Sequence, residues 1–283
     1  MTIASPLRIA LLGSTLLSAG AASAAEDLLY DMPQEEFGTP QQEVPASAWG
    51  NLGRIRLDNW IYFQENVNGS NQWQYRPRLF VPWVFGNDWI ATLRTDVPIL
   101  YTNNRGPANR DGNYSAGVGN VFFEPIVDSA PLLPNLTLRT SLRFVLQSPD
   151  GPPFGVDNQY QIAPGVGFTY RLPDVLRGVT FSPYFRWIRG FNGDDSSTDL
   201  IDTLQLIPAL TFRLAEGWSF AFYGENPITY NRNTNRWFAP LDMLLVYRAT
   251  DNLEFAFGGA TKVGDPAGAT YDHIINGRVS WFF

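Results

Sequence analysis

Three features of the chain predict its fold class. Apolar and polar residues alternate with period two from Arg54 onward, connectors alternate between short and long, and tyrosines and tryptophans sort into two bands. Together they predict an all-β fold: a transmembrane antiparallel up-and-down β-barrel of about twelve strands, with both termini periplasmic.

The chain ahead of the alternating body is expected to hold two parts. Residues 1–24 read as a cleaved signal peptide, with Arg8 before the apolar run IALLGSTLLSAGA and Ala22-Ser23-Ala24 as a small-x-small cleavage site. That run is too short to span a bilayer as a helix. Residues 25–53 carry Glu26, Asp27, Asp31, Glu35, Glu36 and Glu43 with no basic residue, which predicts an acidic periplasmic tail or a plug. The body, residues 54–283, is nearly balanced in charge and so is not a nucleic-acid binder, which needs a basic face. With no cysteine in the chain, disulfides and thiolate chemistry are excluded.

Twelve segments make up the body. Residues 54–65 and 72–85 open it around NVNGSN; parity turns Arg56, Asp58, Trp60 and Tyr62 inward on the first and Arg76, Arg78 and Phe80 on the second. After the short link FGND, residues 88–101 direct Arg94 and Asp96 to the same side. The long connector TNNRGPANRDGNYSA leads to 117–127, where Phe122 and Glu124 face inward. In 135–148, Leu136, Leu138, Leu142, Phe144 and Leu146 oppose Thr137, Arg139, Ser141, Arg143 and Gln147. SPDGPPFGVDN precedes 158–171, and 178–190 turns Tyr184 and Arg186 inward.

Beyond GFNGDDSST, the segment 199–213 sets Leu200, Leu204, Leu206, Leu210 and Phe212 against Thr203, Gln205, Thr211 and Arg213. LAEG leads to 217–230, with Tyr223 and Glu225 inward, and NRNTN leads to 236–248, with Arg236, Asp242 and Arg248 inward. RATDN then leads to 252–263, which contributes Glu254. After GDPAGA, the last segment, 270–283, has Tyr271, Ile275, Val279, Trp281 and Phe283 on one face and Asp272, Asn276, Arg278 and Ser280 on the other.

A soluble sandwich would alternate too, but it gives no reason for aromatic bands. Trp83, Trp89, Tyr170, Trp218, Tyr247 and Trp281 lie beside the short turns, and Trp73, Tyr101, Tyr160, Trp187, Tyr230, Trp237 and Tyr271 beside the loops, all on the apolar face. A membrane interface favours these rings because the body is apolar and the N–H or O–H stays hydrated. Eleven residues at about 3.3 Å rise and about 40° tilt climb roughly 28 Å, enough for the apolar band. Closure follows, since an open sheet edge in lipid leaves backbone groups unpaired. Prolines inside many segments, as in YRPRLFVPW, TDVPIL, FEPIV and ENPITY, are expected at bulges or strand ends, where parity can slip by one residue.

A twelve-stranded barrel has a backbone diameter of roughly 24 Å, leaving about 10 Å once side chains intrude. Arg76, Arg78, Arg94, Arg139 and Arg143 are the candidate eyelet of such a bore, with Asp96, Glu124, Tyr62 and Phe80 as further lumen or solute-binding candidates. Two outcomes are open: the arginines and carboxylates fill the bore by pairing, or they set a field across a constriction that selects solutes. The function expected is an outer-membrane channel, porin-like, for passive uptake or efflux of small solutes, with membrane lipid and a small-molecule solute as partners.

Two alternatives stand beside it. An outer-membrane lipid hydrolase would use the single His273, outward and near the loops, with Thr261 as the nearest hydroxyl. A structural surface barrel would have a filled lumen. No phosphate loop, zinc spacing or nucleotide motif occurs, and GDDSSTD lacks the Gly and Glu positions of a calcium loop. No cofactor, metal or catalytic residue is therefore expected.

Three stretches carry a resemblance to a known family: YRPRLFVPWVFGNDWIATLRTDVPIL, SAGVGNVFFEPI and the closing RVSWFF. Over residues 54–283 the chain resembles the outer-membrane barrel family named for the MetA pathway of phenol degradation. Asn120 stands where that family often has an acidic residue. The resemblance implies a porin-like transporter of aromatic or other small hydrophobic molecules. It also implies that terminal Phe283 is read by the barrel-assembly machinery.

Overall fold

A computed structural model describes residues 53–283, apart from 68–69, 87, 107, 152, 156–158, 173–177, 192–199 and 265–270. The expected leader and nearly all of the acidic tail lie outside the described residues.

The body is a single antiparallel sheet that closes on itself as a twelve-stranded barrel. Its wall begins with β1 (Arg56–Val67) and β2 (Ser70–Phe85). The third wall strand is split into β3 (Trp89–Asp96) and β4 (Ile99–Thr102), and the fourth into β5 (Ser115–Val118) and β6 (Phe122–Asp128). Then come β7 (Leu136–Val145), β8 (Tyr160–Leu172), β9 (Val179–Phe191) and β10 (Asp202–Ala215). The ninth is split into β11 (Trp218–Phe222) and β12 (Ile228–Asn231), followed by β13 (Arg236–Thr250), β14 (Leu253–Gly264) and β15 (His273–Phe282). Each neighbour in sequence is a neighbour in space, and β1 pairs with both β2 and β15, from Arg56 opposite Phe282 to Glu65 opposite His273. That seam removes the edge that lipid could not solvate.

Parity holds as the period-two reading requires. Outward residues are apolar and exposed, among them Trp73, Trp83, Phe123, Leu138, Val166, Phe185, Leu206, Phe257, Ile275 and Phe283. A wall of this kind is stable only where hydrocarbon covers it, because water would leave far more apolar area exposed than a soluble protein tolerates. The barrel is therefore an outer-membrane one. Its two aromatic bands are held by outward ring pairs, with Trp218 4.5 Å from Tyr247 at one end and Tyr230 4.7 Å from Trp237 at the other.

Three expectations need correction. Tyr271 is not in the outer band: it precedes β15, is only 5% exposed, and packs edge-on against Phe238 inside the barrel. Since it lies off the strand, strand parity does not govern it. The connectors also differ less between the ends than expected, because the strands run further. Only residues 68–69 separate β1 from β2, and 232–235 separate β12 from β13, at what is otherwise the loop end.

The prolines divide. Pro98 and Pro227 mark two of the splits, and Pro240 sits at a register shift against β14. Pro77, Pro82, Pro183 and Pro208 instead lie within unbroken register. Parity slips by one residue across the split in the fourth strand, where Leu100 faces Gly117 but Asp96 faces Phe122. In the ninth, two extra residues stand between β11 and β12, so parity is kept while the segment 223–227 bulges.

The lumen has two unlike sides. Trp60, Tyr62, Ala221, Phe238, Leu244, Ala256, Ala260, Tyr271 and Ile274 form a buried apolar cluster inside the barrel, on β1 and the wall from β11 to β15. The inward arginines and acids are densest on β2 through β9, and others lie beside the apolar cluster: Arg56 and Asp58 on β1, Glu225 between β11 and β12, Asp242 on β13 and the Arg278–Glu254 pair on β15 and β14.

Candidate functional site

Every lumen candidate named from sequence lies on an inward face, because β2, β3 and β6 share even parity there and β7 takes the odd residues opposite them in register. What parity could not give is the pairing. Tyr62 Oη donates to Glu225 Oε1 at 2.7 Å, and Arg78 forks onto the same carboxylate, Nη1 to Oε2 at 3.0 Å and Nη2 to Oε1 at 2.7 Å. Arg76 Nη1 reaches Glu225 Oε1 at 3.4 Å.

From there the network runs across the wall. Arg78 Nε donates to Asp96 at 2.8 Å, and Arg94 grips both oxygens of Asp96, each at 2.8 Å. Arg94 Nη1 also lies 3.8 Å from Glu124. Glu124 in turn accepts from Arg143 at 2.8 Å, from Arg186 at 2.7 Å and from Ser141 at 2.6 Å.

Five guanidinium groups and three carboxylates thus form one connected chain with two positive charges in excess. Asp96 is fully buried and Glu124 and Arg78 nearly so. Burial of this kind is tolerated because each carboxylate receives forked, charge-assisted donors, the geometry that arginine offers and lysine does not. Rings floor the network: Arg143 stacks 3.9 Å over Phe122, Arg94 4.9 Å over the same ring, and Arg76 4.9 Å over Tyr62.

The candidate eyelet is not one cluster. Arg139 pairs with Asp128 at 2.7 Å, nearer the turn end, and has no ion pair with the chain just described. It lines a cavity of about 140 Å³ together with Arg54, Arg56, Phe80 and Thr92. Phe80 belongs to this lower level as well, with Arg56 stacked 3.9 Å over it. A larger cavity of about 700 Å³ opens at the loop end, between Gln72, Asn103, Asn104, Arg105 and Gly155. The ion-pair layer lies between the two levels.

Glu225 and Arg186 complete the layer. Sequence parity placed both inward but not in the eyelet. Glu225 crosses the lumen from the ninth wall strand to the first two, a reach that depends on the bulge at 223–227. Tyr223 there adopts a left-handed φ of 52°, and Asp242 on β13 accepts from the Glu225 N–H at 2.9 Å and from Asn226 Nδ2 at 2.6 Å. Gly224 and Pro227 on either side of Glu225 are the sequence signal for this break.

The histidine of the hydrolase alternative faces outward on β15, where its Nδ1 lies 2.9 Å from Thr261 Oγ1 on β14. The two residues are directly opposite in register, so this is a cross-strand contact on the exposed wall.

No protein-family model matches the chain, and no curated protein matches it in sequence. Solved structures do. An outer membrane channel from Pseudomonas putida F1 superposes with a TM-score of 0.63 at 12% identity, covering 89% of this chain and 99% of that one. The NanC porin superposes with a TM-score of 0.52 at 14% identity, over 80% of this chain and 98% of its own. At such identities the likeness is one of fold, and the fold is that of the porin-like outer-membrane barrels.

Proposed function

We propose that the protein is an outer-membrane channel for passive passage of small solutes, aromatic or hydrophobic ones among them. The observation that carries this reading is the character of the barrier. Among the described residues, a buried ion-pair layer and an apolar cluster crowd the lumen between a small cavity toward the turn end and a larger one at the loop end. A solute that is partly charged and partly apolar meets a complementary surface on each side. The surplus positive charge favours anions, as rings of arginine do in anion-conducting pores.

The finer family reading, the phenol-degradation barrels, rests on three stretches, of which the one from Tyr75 to Leu100 supplies Arg76, Arg78, Arg94 and Asp96 to the ion-pair layer. Recognition of Phe283 by the assembly machinery belongs to the same proposal.

Planar-bilayer recording from the pure protein tests the function. We expect discrete conductance with anion preference, and a shift of reversal potential toward cations in Arg76→Ala and Arg94→Ala that exceeds the shift in Arg139→Ala. Absence of any current, in bilayers shown to contain folded barrel, would refute the channel.

A further inference from the structure

Glu225 is bound as a ligand would be. Its carboxylate lies in a site built by the opposite wall: the Arg78 fork takes both oxygens, the Tyr62 hydroxyl a third contact at 2.7 Å, and Arg76 a fourth at 3.4 Å. Two buried rings back the site: Trp60 and Tyr62 stack on each other with centroids 5.4 Å apart and planes 14° from parallel, and Arg76 lies 4.9 Å over Tyr62. Arg78 lies 5.5 Å over the Trp60 ring. A guanidinium fork held over buried rings and a phenol donor are the parts that recognise a carboxylate.

The donors come from β1 and β2, while the acceptor is delivered from the far wall by an irregular segment. Arg78 has a second partner in Asp96, so the donor half stays anchored when Glu225 leaves. Arg76 is about a quarter exposed at its side chain, which leaves the site open to the lumen on that flank.

We propose that Glu225 is a tethered stand-in for the carboxylate of a small planar solute, and that such a solute displaces it onto Arg78, Arg76 and Tyr62 as it passes the barrier. The inference rests on the channel reading and names the class of solute, an aromatic monocarboxylate. The exchange makes and breaks no covalent bond: one carboxylate replaces another on the same donors, and the Glu225 side chain turns aside while its backbone N–H stays on Asp242. Because Glu225 belongs to the same chain as its partners, it competes for them intramolecularly. Passage therefore needs no tight complex, and the native site releases its solute readily.

Calorimetric titration of the full chain, folded in detergent micelles, with benzoate and with benzyl alcohol tests this. Removing the competitor in Glu225→Ala should tighten benzoate binding by at least about tenfold, while the neutral alcohol gains nothing. Glu225→Gln, which preserves side-chain shape, should tighten benzoate in the same direction, and it decides the matter if the alanine variant does not fold. Adding Arg78→Ala should abolish the gain. Benzoate affinity within about twofold of native in the folded Glu225 variant, or a gain that survives Arg78→Ala, overturns the proposal. Loss of conductance with benzoate binding intact would defeat the channel reading alone; unchanged affinity in a conducting barrel would defeat this site alone.

Discussion

Glu124 is the most heavily shared acceptor in the barrier, and its neutralisation gives the sharpest test of the layer as a whole. In the native barrel one carboxylate, 1% exposed, answers Arg143 and Arg186 directly and Arg94 at 3.8 Å, with Ser141 as a fourth donor. Glu124→Gln keeps the shape and one acceptor oxygen but turns an NH₂ group toward a guanidinium. Hydrogen bonds to a charged partner contribute about 1.5–3 kcal/mol each, but summing them overstates the loss because the arginines relax together. The better guide is the removal of one partner from a buried ion pair, which costs about 3–5 kcal/mol. The side chains of Arg94 and Arg143 keep 16% and 13% exposure, enough for water to soften the loss toward the lower end. Equilibrium urea unfolding in lipid vesicles should thus show a destabilisation of about 3 kcal/mol. Bilayer recording should show stronger anion preference, opposite in sign to Arg94→Ala. A variant within about 1 kcal/mol of native, with unchanged selectivity, would mean that the layer is solvated and does not control the lumen.

Two further outcomes are expected. An added Cβ at Gly165 would overlap the Tyr184 ring, so Gly165→Ala should destabilise by about 1–3 kcal/mol, and Gly165→Ala with Tyr184→Ala should recover part of it in the same unfolding assay. Any ester hydrolysis by the purified barrel should survive His273→Ala unchanged; loss of turnover in that variant would favour the hydrolase alternative and assign the Thr261–His273 contact a catalytic role.

How much of this could be read from sequence follows from what period two encodes. It fixes which side of the wall a residue faces, so Arg76, Arg78, Arg94, Asp96, Glu124 and Arg143 were placed in the lumen without any knowledge of the curvature. It says nothing about height matching across the bore, which depends on the stagger of strands around the barrel. For that reason parity groups Arg139 with arginines it does not join, and it cannot match the carboxylate of Glu225, five wall strands from β2, to Arg78. The apolar cluster was also hidden. Phe238, Leu244 and Ile274 sit on inward parity, but in an alternating segment an apolar residue on the minority face looks like noise until its neighbours from other strands are known. Tyr271 departs from parity for a different reason: it lies just outside β15, which begins at His273.

The division of the lumen bears on why the barrier is ionic at all. Apolar side chains of similar volume would close the bore with equal or greater stability, since buried ion pairs recover their desolvation cost only with good geometry. The molecule in fact uses apolar filling on one wall, around Leu244 and Ile274, so such packing was open to it on the other. An apolar plug can yield only by leaving a void. A chain of forked ion pairs can yield by exchange where a guanidinium has two carboxylates, as Arg78 and Arg94 do: Arg78 keeps Asp96 if it loses Glu225. Such an exchange lets the ion-pair layer rearrange without leaving Arg78 or Arg94 unpaired. The proposed channel would depend on that freedom, whereas a barrel of purely structural role would gain nothing from it.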